Sequence, residues 1–131
     1  MPGLVNYSAQ NTATTTLTTT AETVVATLSG ITTPGTSGRV SLTGTFQLEV
    51  GTAGASLVMR IRRGTTTSGT LVGASDTVTV TAGQTQDFAH AATDFPGEVA
   101  GASYVLTAAV GSATGNSTVK FATLTADVSP Q

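Results

Sequence analysis

The sequence predicts an all-β domain built as an antiparallel sandwich or barrel. Three observations carry this: strict apolar–polar alternation over residues 39–50, a composition rich in threonine, valine and glycine, and glycine-rich turns between short strand-like segments. Apolar residues at every second position place one face of a strand in a core. β-Branched side chains lose rotamer freedom in a helix and pack well on a pleated surface, so 29 threonines weigh against helices. A chain of 131 residues suffices for one domain that buries roughly two-thirds of its unfolded surface.

Taken in order, residues 4–8 form a short, weak strand candidate. Residues 9–20 are of low complexity, with threonine triplets at 14–16 and 18–20. Such bias reads as a flexible polar tail. The extended preference of threonine, with Leu4, Val5 and Leu17 as apolar anchors, favours an arm paired with this subunit's sheet or along a neighbour's. The expected division is therefore an extended N-terminal arm, 1–20, and a β-sandwich domain, 21–131. Deleting residues 1–12 is expected to leave that domain folded and to weaken assembly.

Residues 23–28 alternate Val24, Ala26 and Leu28 against Thr23, Val25 and Thr27. In the 39–50 segment Val40, Leu42, Phe46, Leu48 and Val50 share a face with Gly44, which leaves a gap that another side chain can enter. Leu57, Met59 and Ile61 alternate with Val58, Arg60 and Arg62. Residues 77–81 end at the turn signal Ala82-Gly83. Residues 84–91 are less regular, and Tyr104, Leu106, Ala108 and Val110 form one clean face. Residues 118–128 carry apolar side chains on both parities, which predicts burial on both faces or a bulge.

Charge is sparse: 9% of residues are charged, with a net charge of −2, where globular domains carry about 25% charged residues. Threonine hydroxyls must supply most of the solubility. Such a surface fits one covered by neighbouring subunits, and a homo-oligomer is expected. The chain has no cysteine, so it offers no disulfide, thiolate site or thiol nucleophile. No apolar segment approaches the roughly 18 residues of a membrane span, and the first residues lack the pattern of a signal peptide. The sequons at Asn6 and Asn116 are read as chance matches.

The motifs that could carry chemistry are few. Asp87, His90 and Asp94 outline a hydrolase only with a suitably placed serine, and no nucleophile-elbow motif is present. One histidine without cysteine is a poor zinc set. Catalytic, cofactor and metal sites are therefore all expected to be absent. Alternation puts Arg60 and Arg62 on the face opposite Met59 and Ile61, either paired with nearby carboxylates or forming a contact face with Arg63. Three arginines with no aromatic platform beside them do not make a nucleic-acid site. Expected subunit or capsid contacts are Leu4, Val5, Tyr7, Leu17, Arg60, Arg62 and Arg63.

The succession Thr20-Ala21-Glu22-Thr23-Val24-Val25-Ala26-Thr27-Leu28, Gly38-Arg39-Val40-Ser41-Leu42-Thr43-Gly44, the Leu-x-Met-Arg-Ile-Arg-Arg-Gly-Thr turn at 57–65, Gly-Ala-Ser-Tyr-Val-Leu at 101–106 and the closing 118–128 strand resembles small jelly-roll domains of bacteriophage virion proteins, of the trimeric C1q/TNF type. The resemblance implies a jelly-roll sandwich, with an immunoglobulin-like sandwich as the alternative because strand patterns do not fix strand order. It implies a non-enzymatic capsid decoration (cement) protein on the virion surface. Such a protein would be trimeric and bound to the major capsid protein or another virion protein. The alternative is a receptor- or carbohydrate-binding fibre or spike tip, for which Tyr7, Tyr104 and Phe95 are the candidate platforms. Neither reading involves nucleic acid or membrane.

Overall fold

The computed structural model describes residues 5–17, 21–33, 38–51, 55–110 and 117–129. These form strands β1 (Val5–Asn11), β2 (Thr15–Leu17), β3 (Thr23–Thr33), β4 (Arg39–Glu49), β5 (Ala55–Arg63), β6 (Thr70–Val80), β7 (Thr85–Asp94), β8 (Val99–Val110) and β9 (Ser117–Ser129), with no helix among the described residues. One sheet runs β1-β9-β4-β7 with β2 also on β9, and the other runs β3-β8-β5-β6. The antiparallel pairs β2–β9, β3–β8, β4–β7 and β5–β6 are nested, so a two-stranded ribbon is folded over on itself. That nesting is the jelly roll. An immunoglobulin-like sandwich would join several sequential strands side by side, whereas here only β5 and β6 are sequential neighbours among the paired strands.

The alternation in β4 survives intact: Val40, Leu42, Gly44, Phe46 and Leu48 point inward and Arg39, Thr43, Thr45 and Glu49 outward. A Cβ on Gly44 would lie 2.7 Å from both Leu106 methyl carbons, so Leu106 of the facing sheet occupies the gap that glycine leaves. Leu57, Met59, Ile61, Leu106, Leu124 and Val128 complete a continuous core. Burying each such side chain contributes about 1.5–3 kcal/mol before entropy is counted.

Two bulges alter the parity read from sequence. In β3 the register to β8 shifts between Val24 and Ala26, so Val25 and Ala26 are both buried while Val24 is only partly so. In β9 the register to β4 shifts by one residue between Phe121 and Val119, so Val119 faces the core and Phe121 the outside. Of the two outcomes expected from apolar residues on both parities, the strand takes the bulge. β6 begins earlier than predicted, at Thr70. Its register to β5 is broken between Met59 and Ile61, opposite Gly73, whose φ of 68° suits glycine.

Residues 5–17 pair with this subunit's own sheet. Val5–Asn11 pairs with Val128–Ala122 of the same chain, and Tyr7 and Ala9 pack against its core. β2 pairs with β9 at Val119–Ser117, which drives Leu17 into the interior at 1% exposure.

Candidate functional site

Among the described residues, two polar clusters and a set of exposed apolar side chains stand out. On the outer face of the β3-β8-β5-β6 sheet, Arg60, Arg62 and Thr107 converge on Glu22. Arg62 forks the carboxylate, with Nε 2.7 Å from Oε2 and Nη2 2.9 Å from Oε1, and Arg60 Nη1 lies 3.4 Å from Oε1. The Thr107 hydroxyl donates to Oε2, and Arg62 Nη1 donates to the Gly69 carbonyl at 2.9 Å. Burial by itself pushes the Glu22 carboxyl up. The Arg62 and Thr107 hydrogen bonds and the two guanidinium charges outweigh it and hold Glu22 below its ordinary value.

Arg63 has the inward parity of β5 and reaches across to the other sheet. Its Nε and Nη2 fork Asp94 of β7 at 2.8 and 2.7 Å, and the Tyr104 hydroxyl donates to Oδ2 at 2.6 Å. Burial again acts to raise Asp94, and the Arg63 and Tyr104 hydrogen bonds prevail and lower it. Burial, together with the adjacent Asp94 carboxylate, raises the Tyr104 phenol. The group is an inter-sheet tie with its polar atoms satisfied by one another.

The same end of the sandwich carries exposed apolar side chains. Phe95 follows β7 directly and is 66% exposed, and Val5 opens β1 at 50%. The register ties Val5 and Phe95 to one end: Val5 pairs with Val128, Val128 and Asp94 both pair with Val40, and Asp94 precedes Phe95. Leu71, 37% exposed, stands on the outer face of the other sheet, beside Arg62.

The residues singled out as contacts therefore separate. Leu4 lies outside the described residues. Leu17 is buried in its own core, which leaves it no surface for a neighbour, and this corrects its reading as a contact. Tyr7 is half-buried, its hydroxyl accepting from the Thr32 amide at 3.4 Å. Val5 remains on the surface. Arg60 and Arg62 face outward as their alternation required, yet both are engaged by Glu22, and Arg63 by Asp94. Reasoning from sequence missed Phe95 as a member of an apolar end, because an isolated phenylalanine before Pro96 has no periodicity to mark it.

Asp87, His90 and Asp94 are not brought together. His90 and Asp94 lie on the inner face of β7 and Asp87 on the outer. Asp94 is taken by Arg63 and Tyr104. His90 Nδ1 is 3.8 Å from Asp76 Oδ2, and its Nε2 is buried without a hydrogen-bond partner.

The fold and its pairings define the class: an antiparallel jelly-roll sandwich. No family model and no curated protein matches the chain. Among solved structures it is similar to that of infectious bursal disease virus strain Gx, with a TM-score of 0.59 and 16% identity over 98% of this chain and 32% of that one. It is likewise similar to the VP2 subviral particle of infectious bursal disease virus (TM-score 0.59, 12% identity, 95% and 32% covered). A third similar structure is Eiger TNF from S. frugiperda (TM-score 0.52, 10% identity, 98% and 94% covered). The chain spans about a third of the length of the viral chains it matches and nearly the whole of the TNF chain. At these identities the likeness is one of fold.

Proposed function

We propose that this chain is a non-enzymatic virion structural protein, a decoration protein that binds the capsid surface of a bacteriophage as a homo-oligomer and strengthens the shell. The observation that carries the reading is the apolar end that carries Phe95 and Val5, set on a molecule whose charges are mostly neutralised internally. Four of the five basic side chains are ion-paired within the chain: Arg60 and Arg62 with Glu22, Arg63 with Asp94, and Lys120 with Glu49. What remains outside is largely threonine, serine and alanine, which can be covered by another subunit at little desolvation cost.

Binding only to the assembled shell would stabilise it by mass action. The trimeric state follows the TNF-type resemblance, and the viral-particle likeness supports a shell-building role for the same fold. The Asp87, His90 and Asp94 geometry supports the non-enzymatic part, since Asp87 lies on the opposite face of β7 from His90 and Asp94 is taken by Arg63 and Tyr104. The test is quantitative proteomics of purified particles. Copy numbers comparable to the capsid subunit are expected, while absence, or a few copies confined to the tail, would refute a decoration role.

A further inference from the structure

The outer face of the β1-β9-β4-β7 sheet carries a second surface, away from the apolar end. Gln47 pairs with Asp87 on one side and with Phe121 on the other, so the register sets the three in a row across β7, β4 and β9. The row spans two strand spacings, about 10 Å. Thr45 stands two residues along β4 on the same face. With Phe46 these residues line an open depression of about 520 Å³. The β9 bulge aims Phe121 outward, where it stays 40% exposed. Elsewhere the acidic side chains Glu22, Glu49, Asp94 and Asp127 are engaged by partners in the chain. Among the described residues, the side chains of Asp87, Gln47 and Thr45 make no hydrogen bond or ion pair.

We propose that this depression is a binding groove for a neutral saccharide chain, with Phe121 as its platform and Asp87, Gln47 and Thr45 as hydroxyl partners. A sugar ring presents an apolar C–H face, which an aromatic ring covers. Its rim of hydroxyls both donates and accepts. A carboxylate accepts, an amide accepts and donates, and a threonine hydroxyl does both, so the row matches that rim group by group. The lone carboxylate disfavours phosphate or any other anion, and one carboxylate without further oxygen ligands does not hold a hard cation. The depression is open, which suits a chain crossing the surface better than an enclosed metabolite. Gln47 lies seven residues along β4 from Val40, about 23 Å from the apolar end. The groove therefore does not rest on the decoration role, and both surfaces can be occupied together.

The test is a titration of the isotope-labelled full chain, following backbone amides by NMR. The probes are neutral hexasaccharides built on glucose, N-acetylglucosamine, mannose and galactose, with tri-lysine as the cation control. One of the saccharides is expected to give saturable shifts at Thr45, Gln47, Asp87, Ala89 and Phe121. Phe121→Ala and Asp87→Asn, both exposed substitutions, are each expected to weaken it about tenfold with the melting transition retained. Three results overturn the proposal: no saturable shift from any saccharide, saccharide shifts unchanged by Phe121→Ala, or shifts at these residues with tri-lysine alone. Particle binding by Phe121→Ala should equal that of the parent, which keeps this test separate from that of the decoration role.

Discussion

At Asp94 the two sheets are joined through one carboxylate, with Arg63 and Tyr104 as its partners. Its folded pKa lies below the ordinary 3.8, and that of Glu22 below 4.5. A depressed carboxyl means that the unfolded chain binds more protons as the solution acidifies. The stability from both groups is therefore complete above their unfolded values and drains as pH falls through the folded ones. Asp94→Asn removes the charge that Arg63 forks and is expected to cost about 1–3 kcal/mol at neutral pH. It should also flatten the loss of stability between about pH 5 and pH 3, which urea titrations at several pH values will read. Gly44→Ala tests the opposite kind of constraint, since its methyl would meet Leu106 in a closed core. It should cost about 1–3 kcal/mol. Combining it with Leu106→Ala should cost less than the two separate losses, a coupling that a double-mutant cycle measures. The Gly44 gap was legible in the sequence because β4 alternates without a fault. The Arg63–Asp94–Tyr104 tie was not, because it joins strands of two different sheets and no spacing along the chain encodes it.

Among the elements, β1 and β2 change the most between sequence and structure. Seven residues of β1 pair with β9, and Leu17 of β2 is part of the core. Deleting residues 1–12 should therefore lower the melting temperature of the domain itself by several degrees, because it strips one side of β9 and uncovers the core contacts of Tyr7 and Ala9. Differential scanning calorimetry distinguishes this from an unchanged transition, which would return the segment to the status of a free arm. Leu17→Ala should cost about 2–5 kcal/mol. Threonine triplets hide such short strands, because uniform composition gives no alternation to read. The central strands β4, β5 and β8 were legible from period-two patterns. The first half of β6 was not, since Gly73, Ala74 and Ser75 lack β-forming side chains and the positive φ at Gly73 breaks the ladder. The β9 bulge was one of the two outcomes anticipated, but its consequence, an outward Phe121, needed the register to β4.

For the whole molecule, strand order decided what composition left open. Patterning specified a sandwich, and the nested pairing made it a jelly roll. The surface then divides into an apolar end, a Glu22-centred polar face and the Phe121 groove. Phe95→Ser should leave the fold intact, the side chain being 66% exposed, and should weaken self-association and particle binding together. The assembly role is most directly tested by the native mass of the full chain, determined by sedimentation equilibrium over a wide range of dilute concentrations. A species of three times the 13.0 kDa chain mass, shifted towards monomer by Phe95→Ser, is the expected result. A 13.0 kDa monomer at every concentration, unchanged by Phe95→Ser, would contradict it.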